Sequence, residues 1–166
     1  MTIQEFNNCV DNYSDGVYRF IVKNIGHEAD AQDIVQTAFE KLWIHREKVE
    51  SEKVKSYLFT VAYHQMIDHI RKDKKRATTD NFEDLKVHSH IASNAELKQI
   101  LLRAINELNP TQKSLVLLKD YEGYSYQEIG EIMNLSESQV KVYLHRARLI
   151  LKGKLNHLQK FVPNEN

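Results

Sequence analysis

A chain of 166 residues has room for one ordinary domain or two small helical ones, and its 5 Gly and 2 Pro, set among long stretches of helical apolar spacing, make it read as all-α. Its single cysteine, Cys9, excludes an internal disulfide and any multi-cysteine zinc site, and no apolar run approaches the roughly eighteen residues that would cross a bilayer. The net charge is zero, yet it is laid out in blocks: residues 1–52 carry 5 Lys/Arg against 10 Asp/Glu, residues 53–76 carry 7 against 2, residues 77–137 carry 5 against 10, and residues 138–166 carry 6 against 1.

Two separate basic blocks suggest two nucleic-acid contacts, and the acidic blocks suggest surfaces that face something else. Charge runs on helices are also commonly just solvated faces. No signal-peptide pattern opens the sequence, so the expected location is the cytoplasm, with no direct membrane contact.

In chain order, Phe6, Val10, Tyr13, Val17, Phe20 and Ile21 recur every three or four residues and predict a helix ending near Gly26. A second helix is predicted from about Asp30, with Ala31, Ile34, Val35, Ala38, Phe39, Leu42 and Trp43 on its apolar side. Asp30 and Asp33 fall in its first turn, where carboxylates complement the helix dipole. A third helix should run from about Val54 to Lys74 and finish in a charged tail, Arg71-Lys72-Asp73-Lys74-Lys75-Arg76. From Ala77 to about Ser93 the sequence is polar and loses its period, although Phe82, Leu85, Val87 and Ile91 are scattered through it. That segment reads as a linker, and its His88 and His90 as a simple polar pair.

The second half opens with a helix near Ala95–Glu107. Asn109-Pro110-Thr111-Gln112 then combines an N-cap, a proline at the first helical position and a capping-box glutamine, and the helix it starts should stop at Gly123. Ser125-Tyr126-Gln127-Glu128 and Ser136-Glu137-Ser138-Gln139 are two further capping boxes, opening a short helix to Met133 and a long one to about Lys152. Two capped helices separated by Asn134-Leu135-Ser136 are the plan of a helix-turn-helix. Ile129, Met133, Leu135 and Val140 have the spacing to bury against each other. Gly130 stands where a larger side chain would part the helices, and Asn134 tolerates the left-handed turn. The second helix presents Lys141, Tyr143, His145, Arg146, Arg148 and Lys152, which would suit the major groove. A plain helical hairpin with a solvated basic face is the simpler alternative.

Three segments together resemble the sigma-70 family of RNA polymerase initiation factors, in its extracytoplasmic-function (ECF) subgroup. Asp30–Trp43 resembles that family's polymerase-clamp-binding helix. Lys55–Ala62 with Ile67–Lys72 resembles its −10-reading helix, and Leu108–Gln112, Asp120–Ile129 and Val140–Arg148 resemble its −35-reading domain. The resemblance implies two helical domains, residues 1–76 and 95–160, joined by a flexible linker at 77–94. It implies core RNA polymerase as partner, through the beta-prime clamp and the beta flap, together with promoter DNA and an anti-sigma factor. Asp30, Asp33, Gln36 and Glu40 become the expected polymerase-binding residues. Tyr63, His64, Gln65, Arg71, Lys72, Lys74, Lys75 and Arg76 become the −10 set, and Ser138, Gln139, Lys141, Val142, His145, Arg146 and Arg148 the −35 set.

The sequence departs from the pattern in places. Many members carry Asn where this chain has His64, and Val142 and Tyr143 replace the usual Ser and Arg. No Gly-rich phosphate loop, nucleophile motif or metal-spaced histidine set is present, so neither an enzyme nor a cofactor or metal is expected. Two rival readings are a homodimeric helix-turn-helix regulator that works without polymerase and a helical adaptor that binds only protein.

Overall fold

In a computed structural model, residues 1–77 and 95–159 are described. Among them every regular element is helical. Residues 78–94, which hold nearly all of the expected linker and its histidine pair, lie outside the described residues.

Helix α1 (Ile3–Ile25) starts at a Thr2–Glu5 capping box and ends at Gly26, whose φ of 68° lets its N–H return to the Val22 carbonyl at 2.8 Å. Of the expected stripe, Val17, Phe20 and Ile21 are fully buried and Phe6, Val10 and Tyr13 half-buried. Helix α2 (Glu28–Ile44) begins two residues before Asp30, because the His27 ring accepts the Asp30 N–H at 3.3 Å and serves as the cap. Ala31, Ile34, Ala38, Phe39 and Leu42 face inward. Phe6 locks α1 to α2 by meeting Phe39 and Trp43 edge-on, with centroids 6.3 and 5.0 Å away. A 3₁₀ turn at Ser51–Lys53 leads into α3 (Val54–Ala77), which buries Val54, Leu58, Phe59, Ala62, Tyr63 and Met66 and completes a three-helix bundle.

The second half contains α4 (Ala95–Asn106), α5 (Pro110–Val116), α6 (Tyr126–Met133) and α7 (Glu137–Gln159). Both halves of the Asn109–Gln112 capping box form, at 2.8 and 3.3 Å. Beyond Val116 the expected helix widens into a π turn over Leu117–Tyr121, where the Glu122 N–H reaches the Leu117 carbonyl at 3.0 Å. Gly123, at φ 73°, then turns the chain toward α6.

The halves are docked against each other. Phe59 of α3 meets Tyr124 edge-on at 4.9 Å, and Arg19 and Lys55 pair with Glu122 and Glu128 at 3.2 and 3.6 Å. Between α1 and α5 the Lys113 ammonium donates to the Asn24 carbonyl (2.9 Å) and the Asn106 amide oxygen (2.8 Å), while the Ser114 hydroxyl reaches the Asn24 side-chain oxygen at 3.3 Å. One connected apolar core therefore runs through both halves. Burying a ring such as Tyr124 contributes on the order of 2 kcal/mol, and the ion pairs and hydrogen bonds around it fix how the halves meet.

Candidate nucleic-acid interface

The helix-turn-helix forms from its own local chemistry. Ser125 and Glu128 cap α6 reciprocally at 3.1 and 2.8 Å, and Ser136 and Gln139 do the same for α7 at 3.1 and 2.9 Å. Between them Asn134 adopts φ 56°, ψ 50°. Its neighbour Leu135 returns its N–H to the Gly130 carbonyl at 2.9 Å, closing the turn so tightly that a Cβ on Gly130 would stand 2.6 Å from the Leu135 oxygen. Ile129, Ile132, Met133, Val140, Leu144 and Ala147 are buried at the crossing.

With that side of α7 inside, Ser138, Lys141, Val142, His145, Arg146 and Leu149 are left exposed. Lys141 is held by Glu137 at 3.2 Å and lies 5.3 Å from the Tyr126 ring. Arg148 points elsewhere: its guanidinium grips Asp120 with two nitrogens, Nη2 and Nε, the latter at 3.2 Å, and ties α7 to the π turn. Gln139 is exposed but employed as a cap. The expected −35 set thus divides. Ser138, Lys141, Val142, His145 and Arg146 share the outward face, whereas Gln139 and Arg148 hold the motif together.

On α3, His64, Arg71 and Lys75 recur at helical spacing on one exposed stripe with Asp68, which pairs with Arg71 at 3.7 Å. Gln65 is half-buried beside the exposed Lys72 and Arg76, and Lys74 is exposed as well. Tyr63 corrects the sequence reading. It is 8% exposed, its ring lies against the second half with the hydroxyl toward Thr111, and burial raises its phenol above the ordinary value. An aromatic at helical spacing has here gone to the core, and in the docked form it offers no face to a base.

Asp33, Gln36 and Glu40 line one exposed face of α2, with Gln36 donating to Glu40 at 3.0 Å. Asp30 does not join them. Its carboxylate turns to His69 of α3 (3.4 Å), and His69 also meets Asp73 at 3.2 Å, so this residue fastens α2 to α3.

Comparison with known proteins matches residues 9–76 to Sigma-70 region 2 and residues 98–151 to Sigma-70 region 4. The ECF RNA polymerase sigma factor SigM of Bacillus subtilis is 33% identical over 160 residues, an alignment covering 94% of this chain and 96% of SigM. This chain belongs to the ECF sigma factors. SigW of the same organism is 29% identical, with 92% and 90% of the two chains covered. Two solved structures share the fold. RpoE of Bartonella quintana, in complex with the anti-sigma factor NepR, superposes at TM-score 0.78 with 22% identity over 93% of this chain and 98% of that one. CnrH, with the cytosolic domain of CnrY, superposes at 0.70 with 19% identity over 92% and 88%.

In this ECF sigma factor the region 2 match spans α1 to α3, and the region 4 match spans most of α4 to α7. Two features of the surface were missed from sequence. Ile44, 69% exposed, continues the Asp33–Glu40 stripe by one more turn; the apolar residue four places after Glu40 was the available signal. A cleft of about 490 Å³ opens between the α2–α3 connection and α6, walled by His45, Tyr57, Thr60 and Glu131 among others. There the His45 ring meets the Tyr57 hydroxyl at 2.9 Å, and Thr60 stands one turn before His64. No sequence pattern signals a cleft made by residues so far apart in the chain. Among the described residues no helix is long and apolar enough to cross a membrane.

Proposed function

We propose that this ECF sigma factor directs promoter-specific initiation by docking on core RNA polymerase through one face of α2 while α3 and α7 address the −10 and −35 elements. Asp33, Gln36, Glu40 and the exposed Ile44 form the polymerase-docking face, an acidic surface unsuited to DNA phosphates. His64, with the basic run Arg71 to Arg76, receives the separated −10 strand, the cations following its backbone. The cleft beside Tyr57 and His45 is the place for an unpaired base, which can stack on an aromatic wall. The outward face of α7 enters the −35 major groove, its first turns meeting base edges and its cations the phosphates.

The observation that carries this reading is the division of α7. Its inner side is closed in the core, and its outer side presents Ser138, Lys141, His145 and Arg146 together. Strand separation draws on binding free energy rather than ATP, and bond formation is left to the polymerase. The domains are taken as residues 1–76 and 95–160, with 77–94 as tether, so that modest contacts at either end add through effective concentration. RpoE of Bartonella quintana was captured with the anti-sigma factor NepR, and a partner of that kind, acting in the cytoplasm, is proposed for this chain as well.

Run-off transcription with purified core polymerase on genomic fragments tests the proposal. Defined start sites preceded by a shared pair of elements are the expected result. Failure to associate with core on gel filtration, or a homodimer that binds a palindrome tightly without polymerase, would overturn it.

A further inference from the structure

Val142 is the sixth residue of α7 and is 46% exposed, although it is a branched apolar side chain on a helix whose other early outward residues are polar. On a 3.6-residue period it points directly away from Leu151 and within about 40° of the direction opposite Val140, Leu144 and Ala147. Those three are buried to 1% exposure or less, and Leu151 packs against the same core. Val142 therefore marks the outermost line of the recognition face. Ser138 and His145 lie one turn before and after it, about 40° and 60° round on one side, with Lys141 about 100° round on that same side and Arg146 about 40° round on the other.

A helix lying in the major groove directs this outermost line at the base edges and its flanks at the two phosphate backbones. Val142 is early enough in α7 to reach the bases. Leu149 follows on the same line but about 10 Å farther along the axis, past the residues that lead into the groove. Valine can neither donate nor accept a hydrogen bond, so a polar base edge facing it would lose water with no replacement. The floor of the major groove presents one apolar group, the 5-methyl of thymine.

We propose that Val142 is a specificity residue that packs against the 5-methyl group of a thymine in the −35 element. This rests on the assignment of α7 as the −35 helix. It names the base chemistry read at one position, which the cations around it do not fix.

The test uses the full chain assembled with core polymerase on a promoter located by run-off transcription. Each thymine of the −35 element is replaced in turn by uracil, which removes the methyl group and leaves the pairing edge intact. For the wild-type factor one replacement should weaken promoter binding about fourfold, the worth of one buried methyl group. With Val142→Ala, binding to the thymine promoter should fall by a comparable factor, and the same thymine-to-uracil change should then have no effect. The Val142→Ala factor should match wild type in thermal midpoint and in core binding, since the side chain is outside the core. If no replacement matters, if the sensitive position affects both factors equally, or if the element contains no thymine, the inference is overturned while the −35 assignment stands. Binding indifferent to the −35 sequence as a whole would remove that assignment, and the inference with it.

Discussion

Lys141 and Arg146 make the clearest residue-scale case, because each can be removed with little cost to the fold. The Lys141–Glu137 pair is more than half exposed at both ends, the kind worth at most about 1 kcal/mol. Replacing Lys141 or Arg146 with Ala in the holoenzyme should weaken promoter binding and reduce the slope of log affinity against log salt by about one per lost phosphate contact. A titration between about 50 and 200 mM salt checks this, and an unchanged slope would take that residue off the DNA. Arg148→Ala should behave differently. It breaks the grip on Asp120, so the thermal midpoint should fall while the salt slope stays within error. The basic character of α7 was legible in the sequence. The employment of Arg148 was not, because Asp120 lies 28 residues earlier and helical spacing carries no record of a partner on another element.

At the scale of elements, the helix-turn-helix was readable because everything that makes it is local: two capping boxes, a small residue at the crossing and an asparagine at the turn. Gly130→Ala places a methyl 2.6 Å from a backbone oxygen that cannot swing aside. Destabilisation of about 1–3 kcal/mol is expected, read as a lowered midpoint in thermal or urea unfolding. An unaltered midpoint would mean the turn gives way more easily than its closure implies. Helix α2 can be tested as a surface. Replacing Asp33 and Gln36 with Ala should weaken association with core polymerase at least severalfold, and Ile44→Ala should add to that loss, with unfolding midpoints unchanged because all three side chains are exposed. Undiminished association would move the docking face elsewhere. What the sequence hid here was choice among equivalents. Asp30 and Asp33 look alike in a first turn, and only the approach of His69 from α3 assigns Asp30 an internal task. The π turn was equally invisible, since apolar spacing does not separate a five-residue hydrogen-bond step from a four-residue one.

Considered whole, the molecule joins its two halves through a seam that mixes aromatic rings with polar and charged groups. Tyr63, read from sequence as a DNA contact, is part of that seam, because a stripe of aromatic residues on a helix does not say which of two partners will cover it. Lys113 makes the seam responsive to pH. Burial lowers its ammonium from an ordinary 10.5 to about 8. Below about pH 8 the buried lysine stays charged, and its dehydration works against the native form. Between about 8 and 10.5 the unfolded chain retains a proton that the native form has released, so native stability rises with pH through that window. The thermal midpoint of the wild-type chain, relative to Lys113→Met, should accordingly climb from pH 7.5 to 9.5; a constant difference would contradict it. At neutral pH the waist of this protein is a latch with its own spring. Parting returns a dehydrated cation to water, and that return offsets part of what the rings and ion pairs of the seam hold together.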